Sequence, residues 1–106
     1  MQNLFRMSGI ALLAVCTSLA YAQKSGEEVY KANCALCHGA TGEADTPAGK
    51  TFKATQFTTP DTFKKSDAKL IAFTKKGKGQ MPAWEGELTD DQLKNVIAYI
   101  HTLEKK

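Results

Sequence analysis

The clearest pattern of apolar and polar positions lies at the C-terminal end of the chain. Leu93, Val96, Ile97, Ile100 and Leu103 recur at the i, i+3, i+4, i+7 spacing, with polar residues between them, as on the one-sided stripe of an amphipathic helix. Thr89 stands at its N-cap, Gln92 completes a capping box, Asp90 and Asp91 fill the first turn, and Lys105 and Lys106 close it. A second helix is predicted after Ser66, with Leu70, Ile71 and Phe73 on its apolar face. It ends at Lys75 and Lys76, with Gly77 in the left-handed position beyond. A third is predicted from about Gly26 to about Ala35, capped by Ser25, with Glu28 at the capping-box spacing and Glu27 beside it in the first turn.

Between the first and second of these helices in chain order runs a segment from Gly39 to Lys65. It carries Gly39, Gly42, Pro47 and Gly49, and it has no alternating strand pattern. Thr59-Pro60-Asp61 opens a short helix there, because proline suits the first helical position. A connection this long is uncommon in a small domain unless it is functional. Phe52, Phe57 and Phe63 within it need something to pack on.

The N-terminal 22 residues have a different pattern. They hold 15 of the chain's 45 hydrophobic residues and one charge, Arg6. From Met7 to Gln23 there is no charge, and Ala20-Tyr21-Ala22 forms a small-x-small site. A basic start, a short apolar run and such a site read as a secretory signal peptide, residues 1–22, removed after Ala22. A permanent membrane helix needs ~20 predominantly apolar residues, and Thr17, Ser18 and Gln23 dilute this stretch. Lipid attachment at Cys16 fits poorly with the branched Val15 before it. The expected location is therefore periplasmic or otherwise exported.

Removing 22 of the 106 residues leaves a domain of 84, residues 23–106, with 18 large apolar side chains. That length excludes a doubly wound nucleotide fold or a (β/α)₈ barrel. A domain this small buries only ~60–65% of its unfolded surface and normally needs a staple. The full chain has 14 basic against 11 acidic residues, a net charge of +3, too mixed a balance for a nucleic-acid binder. Three cysteines cannot all pair with one another, and Cys16 falls in the predicted leader.

The staple is indicated by Cys34-Ala35-Leu36-Cys37-His38. The pattern C-x-x-C-H is an attachment site for c-type haem. Two cysteines three apart reach the two vinyl groups of one porphyrin, and the adjacent histidine places an imidazole nitrogen on the iron. Three other readings compete. A Cys34–Cys37 disulfide is possible in an oxidising compartment. A thioredoxin-like pair needs a βαβ context, which this sequence lacks. A zinc site is numerically possible, but His101 has no H-x₃₋₅-H partner. A sixth iron ligand comes from the domain's one methionine, Met81. It lies in the glycine-rich Gly77-Lys78-Gly79-Gln80-Met81-Pro82-Ala83-Trp84, off any apolar helix face, with Pro82 enforcing an extended backbone. His101 is out of register with the apolar stripe and reads as an exposed residue.

Over nearly all of residues 25–104 the sequence resembles the small class I cytochromes c of the bacterial and photosynthetic soluble type. The resemblance rests on C-A-L-C-H at 34–38, G-Q-M-P-A-W at 79–84 and the final helix L-T-D-D-Q-L-K-N-V-I-A-Y-I. It implies an all-α cytochrome c fold, with three main helices, a short helix and long loops around one covalently bound haem c. Iron ligands would be His38 and Met81, with thioether links from Cys34 and Cys37. It also implies a crossing of the first and last helices, with Gly26 and Tyr30 against Val96 and Tyr99, and a proline carbonyl, at Pro47, accepting the other imidazole N–H. The implied activity is single-electron transfer, not catalysis. The expected carrier is a monomer between membrane-associated redox partners, with no nucleic acid and no small-molecule substrate. Lys75, Lys76 and Lys78 are candidates for steering an acidic partner, although Glu85 and Glu87 follow closely. The alternatives are a tethered module serving one oxidase or dehydrogenase, and a haem enzyme or sensor with an open sixth site.

Overall fold

The computed structural model of the chain describes residues 20–105, so nearly all of the predicted signal peptide, and Lys106, lie outside the described residues. Along the chain, α1 covers residues 20–33. It is followed by α2 (Ala35–His38), α3 (Pro47–Thr51), a 3₁₀ helix (Pro60–Lys64), α4 (Asp67–Lys76) and α5 (Asp90–His101). Among the described residues there is no strand, only isolated bridges joining Lys78 to Met81 and Glu85 to Leu88. The architecture is the expected all-α one.

The fold is organised around α5. Thr89 and Gln92 form the predicted capping box, with reciprocal side-chain to main-chain bonds of 3.1 and 2.9 Å. The predicted stripe is the core: Leu93, Val96, Ile97 and Ile100 are all buried, each contributing roughly 1.5–3 kcal/mol of transfer free energy. The helix stops at His101, short of the lysines expected to end it. Leu103 still packs against the core, from a turn in which its amide donates to the Ile100 carbonyl.

Helix α1 crosses α5 at Gly26. A Cβ there would lie 2.0 Å from the Asn95 carbonyl oxygen and 3.0 Å from Tyr99 Cβ. The expected crossing is therefore present, but the glycine meets the Asn95 backbone rather than Val96, which packs instead with Tyr30 in the core cluster. Tyr30 is fully buried, its ring 5.3 Å from that of Tyr99, and its hydroxyl donates to the Gly39 carbonyl at 2.7 Å. Burial, above all, pushes the Tyr30 phenol far above its ordinary pKa, so it remains a donor.

Two expectations for α1 are corrected. The backbone is already helical at residue 20, so Ser25 is not an N-cap. The amides a cap would satisfy already lie within the helix, and Ser25 Oγ instead accepts from Asn95 Nδ2 at 3.4 Å, tying α1 to α5. Nor does α1 reach Ala35: the helix breaks at Cys34, and α2 starts afresh.

Helix α4 has the predicted cap and end, Ser66 Oγ accepting from the Lys69 amide at 3.3 Å and Gly77 closing it at φ 70°, but of the expected apolar face only Leu70 and Ile71 pack against the core, while Phe73 is exposed. Thr59-Pro60-Asp61 does open a short element, the 3₁₀ helix. Helix α3 is additional to the helices predicted from the sequence, although its signal is visible there: Thr46 caps it, accepting from the Gly49 amide at 2.9 Å, and Pro47 occupies its first turn. No helix among the described residues is long and apolar enough to cross a membrane.

Candidate functional site

Cys34, Cys37, His38 and Met81 come from two separate stretches of chain and all line one cavity of about 640 Å³. Val96, Ile97 and Ile100 of α5 contribute apolar wall. The volume and the lining suit a cofactor site, mostly apolar with a few placed polar groups. The donor set also fits the group that C-x-x-C-H implies: two sulfurs, an imidazole and a thioether facing one space.

His38 is held on two sides. Its Nδ1 lies 2.8 Å from the Thr55 carbonyl oxygen. A carbonyl can only accept, so Nδ1 carries the proton and the Nε2 lone pair is left for a metal. The Phe57 ring lies flat against the imidazole, with centroids 4.3 Å apart and planes 20° apart. Burial pulls the His38 pKa below its ordinary value, against the opposing pull of the Thr55 carbonyl, and so favours the neutral ligand form. The expected acceptor, Pro47, is not the one used. Pro47 opens α3, where main-chain carbonyls run along the helix axis, and the acceptor comes eight residues later.

Cys34 sits at the break between α1 and α2, and Cys37 lies within α2. Neither is in a disulfide. Burial, and then the neighbouring Cys37, push the Cys34 thiol up to about 11, so it is protonated at neutral pH. Among the described residues no group of three or more His, Cys, Asp or Glu side chains gathers where it could hold a metal ion. The turn carrying the cysteines is braced by α3. Thr46 Oγ1 donates to the Leu36 carbonyl at 2.6 Å, and a Cβ at Gly49 would lie 2.2 Å from the Cys37 carbonyl oxygen. Only glycine allows α3 so close.

Met81 is fixed by the end of α4. The last carbonyls of a helix lack internal partners. Here Phe73, Thr74 and Lys75 receive the amides of Gly77, Trp84 and Glu85 at 2.8, 3.1 and 3.3 Å. The segment from 78 to 85 is thereby pinned at both ends. Within it Lys78 and Met81 exchange two main-chain bonds of 3.1 and 3.0 Å around Gly79-Gln80. Gly79 has φ 61° while Gln80 is not left-handed, the pattern of a II′ turn. A Cβ at Gly77 would meet Met81 O and Pro82 C at 2.7 Å and Ala83 N at 2.8 Å.

His101 is apart from this cavity, as expected. It is half-buried rather than exposed: Nε2 pairs with Asp67 Oδ1 at 2.7 Å, and the ring stacks on Phe63 at 4.6 Å. Of the three lysines proposed for steering, Lys78 lines the cavity, joined there by Lys53 and Lys65. Lys75 is committed to Asp90 at 2.7 Å. Thr46, Gly49, Thr55 and Phe57 are the residues the sequence reading did not assign to the site. Thr46-Pro47 carries a capping signal, and Phe57 stands out in the sequence only as an aromatic in need of a packing partner. Nothing local marks Thr55 or Gly49.

The family model "Cytochrome C oxidase, cbb3-type, subunit III" matches residues 22–100. The chain is 38% identical to cytochrome c6 of Leptolyngbya boryana over 76 residues, covering 72% of this chain and 86% of that protein. It is 37% identical to cytochrome c6 of Thermosynechococcus vestitus over 93 residues, covering 86% and 80%. It is also 34% identical to the cbb3-type cytochrome c oxidase subunit CcoP of Azospirillum brasilense, covering 79% of this chain but only 29% of that subunit. No solved structure matches the chain significantly.

Proposed function

The chain belongs to the small class I c-type cytochromes, and from that premise we propose that it carries single electrons between protein redox partners, with haem c held by Cys34, Cys37, His38 and Met81. One observation carries the reading: both cysteines, the histidine and the domain's one methionine face a single cavity. Bound there, haem c would supply a one-electron ferric/ferrous couple, with His38 and Met81 as the residues that would ligate its iron.

The chain's own residues have distinct parts in this. Cys34 and Cys37 anchor the group covalently. His38 presents Nε2 because Nδ1–H is engaged by Thr55. Met81 offers a soft thioether from a pinned turn, which favours the ferrous state relative to a second nitrogen ligand. Val96, Ile97 and Ile100 exclude water. Lys53, Lys65 and Lys78 at the cavity suit a weakly docking partner with an acidic rim. Export is supported by the basic-apolar-small pattern of residues 1–22.

The test is the optical spectrum of the oxidised protein. A weak band near the red end, from sulfur–iron bonding, is expected and is lost in Met81→Ala. High-spin, ligand-reactive iron in the unaltered protein refutes the carrier and favours an open sixth site. The family model and the CcoP match favour one second reading, a module attached to a longer assembly. The mass of the mature N-terminus separates the two: a start at Gln23 supports the free carrier, and a lipidated Cys16 or retained Met1 supports a tether.

A further inference from the structure

We infer that Phe57 is a positioning residue for His38, setting the plane of the imidazole from the protein side rather than leaving it to the cofactor. The inference rests on the reading of His38 as an iron ligand. A single hydrogen bond from Nδ1 to the Thr55 carbonyl directs one ring atom, but carbonyl acceptors tolerate a broad range of approach, so the ring can still tilt about that contact. The flat face of Phe57, 4.3 Å away and within 20° of parallel, removes that freedom. Two contacts from one short segment, residues 55 and 57, thus define both a direction and a plane.

Phe57 can do this because it is itself fixed. Its amide donates to the Gly42 carbonyl at 2.7 Å. Its ring meets the edge of Tyr30, with centroids 6.3 Å apart and planes 63° apart. Tyr30 is fully buried and tied by its hydroxyl to Gly39, just after the histidine. Imidazole, Phe57, Tyr30 and Tyr99 therefore form one continuous chain of aromatic contacts, stacked at the first and edge-on or tilted at the others, that runs into the crossing of α1 and α5. Rotating His38 out of its plane means moving Phe57, and moving Phe57 means disturbing that crossing.

The plane of an imidazole bound to a low-spin ferric ion would help set, together with the orientation of the second ligand, which of two iron dπ orbitals holds the unpaired electron. It would therefore help set how spin is distributed around the porphyrin. That distribution is read directly by the g-value spread in electron paramagnetic resonance and by the order of the haem methyl shifts in proton NMR.

The experiment compares the oxidised holoprotein with Phe57→Leu, Phe57→Met and Phe57→Tyr. Leucine and methionine keep apolar volume without a flat face, and whichever accumulates as folded protein serves. Phe57→Tyr keeps the ring. The expected result is a reordered methyl pattern and an altered g-value spread in the leucine or methionine variant, with the sulfur–iron band retained, and the unaltered pattern restored in Phe57→Tyr. A leucine or methionine variant that keeps low-spin iron and the unaltered methyl order overturns the inference alone. An unaltered protein without low-spin His/Met iron overturns the ligand assignment and this inference together.

Discussion

Replacing Gly77 by alanine tests how Met81 is held. Gly77 has φ 70° and ψ 173°, a region essentially restricted to glycine. The new methyl group would also sit 2.7 Å from Met81 O and Pro82 C and 2.8 Å from Ala83 N. All three are main-chain atoms, so none can rotate aside. Segment 78–85 is tied together by the Lys78–Met81 pair and tied back to α4 through Trp84 and Glu85, so it must shift as a body, carrying Met81 with it. Backbone strain of this kind is worth about 1–3 kcal/mol, which biases an equilibrium between bound and released thioether by roughly 5–150-fold. Titrating oxidised Gly77→Ala with free imidazole should show apparent affinity tightened by a factor in that range, because Met81 competes less for the iron. The sulfur–iron band should weaken in step. Gly86→Ala is the control: it carries comparable backbone strain at φ 85°, but an added Cβ there meets nothing within 4 Å, so without a clash against Met81 or Pro82 imidazole affinity should change far less than in Gly77→Ala. A Gly77→Ala protein with unaltered imidazole affinity and an intact band refutes the reasoning.

Gly26→Ala should lower stability. Overpacking costs about 1–3 kcal/mol and better helix propensity returns at most ~1 kcal/mol, so thermal denaturation should show a melting temperature lower by several degrees; an unchanged or higher value contradicts the tight α1–α5 crossing. Tyr30→Phe leaves the Gly39 carbonyl without its buried donor, and the urea midpoint should report a loss of about 1–3 kcal/mol. Thr46→Val removes both the cap of α3 and the bond to Leu36, for a loss of about 0.5–2 kcal/mol in the same assay, and Thr46→Ser should recover most of it. Equal stability of the valine and serine variants would show that the hydroxyl does not brace the Cys34–Cys37 turn.

Helices α4 and α5 were legible in the sequence because their signals are local. A cap, a period and a terminal glycine or capping box are written within a few residues of the place they act. The same holds for C-x-x-C-H, whose spacing is itself the chemistry. What the sequence hid is non-local. Gly49 is needed because the Cys37 carbonyl lies against it, twelve residues away, and no pattern around Gly49 announces that neighbour. Pro47 looked like the imidazole's acceptor, but its ring suits the first turn of a helix, and that local preference took it into α3. Ser25 shows the opposite failure: a good cap by composition became a mid-helix residue because helix extends upstream of it.

The acceptor for His38 Nδ1–H is a main-chain oxygen. Every amino acid supplies that atom, proline included, so no substitution at position 55 deletes it. Residue 55 is in this respect free to drift over evolutionary time while the ligand's tautomer is preserved. The vulnerability is moved to whatever keeps the backbone in place, the Ala54 amide on Gly49 and the Phe57 amide on Gly42, each 2.9 Å or shorter. Variation that spares the histidine and its acceptor can still alter the centre through these two glycines, which touch neither imidazole nor thioether.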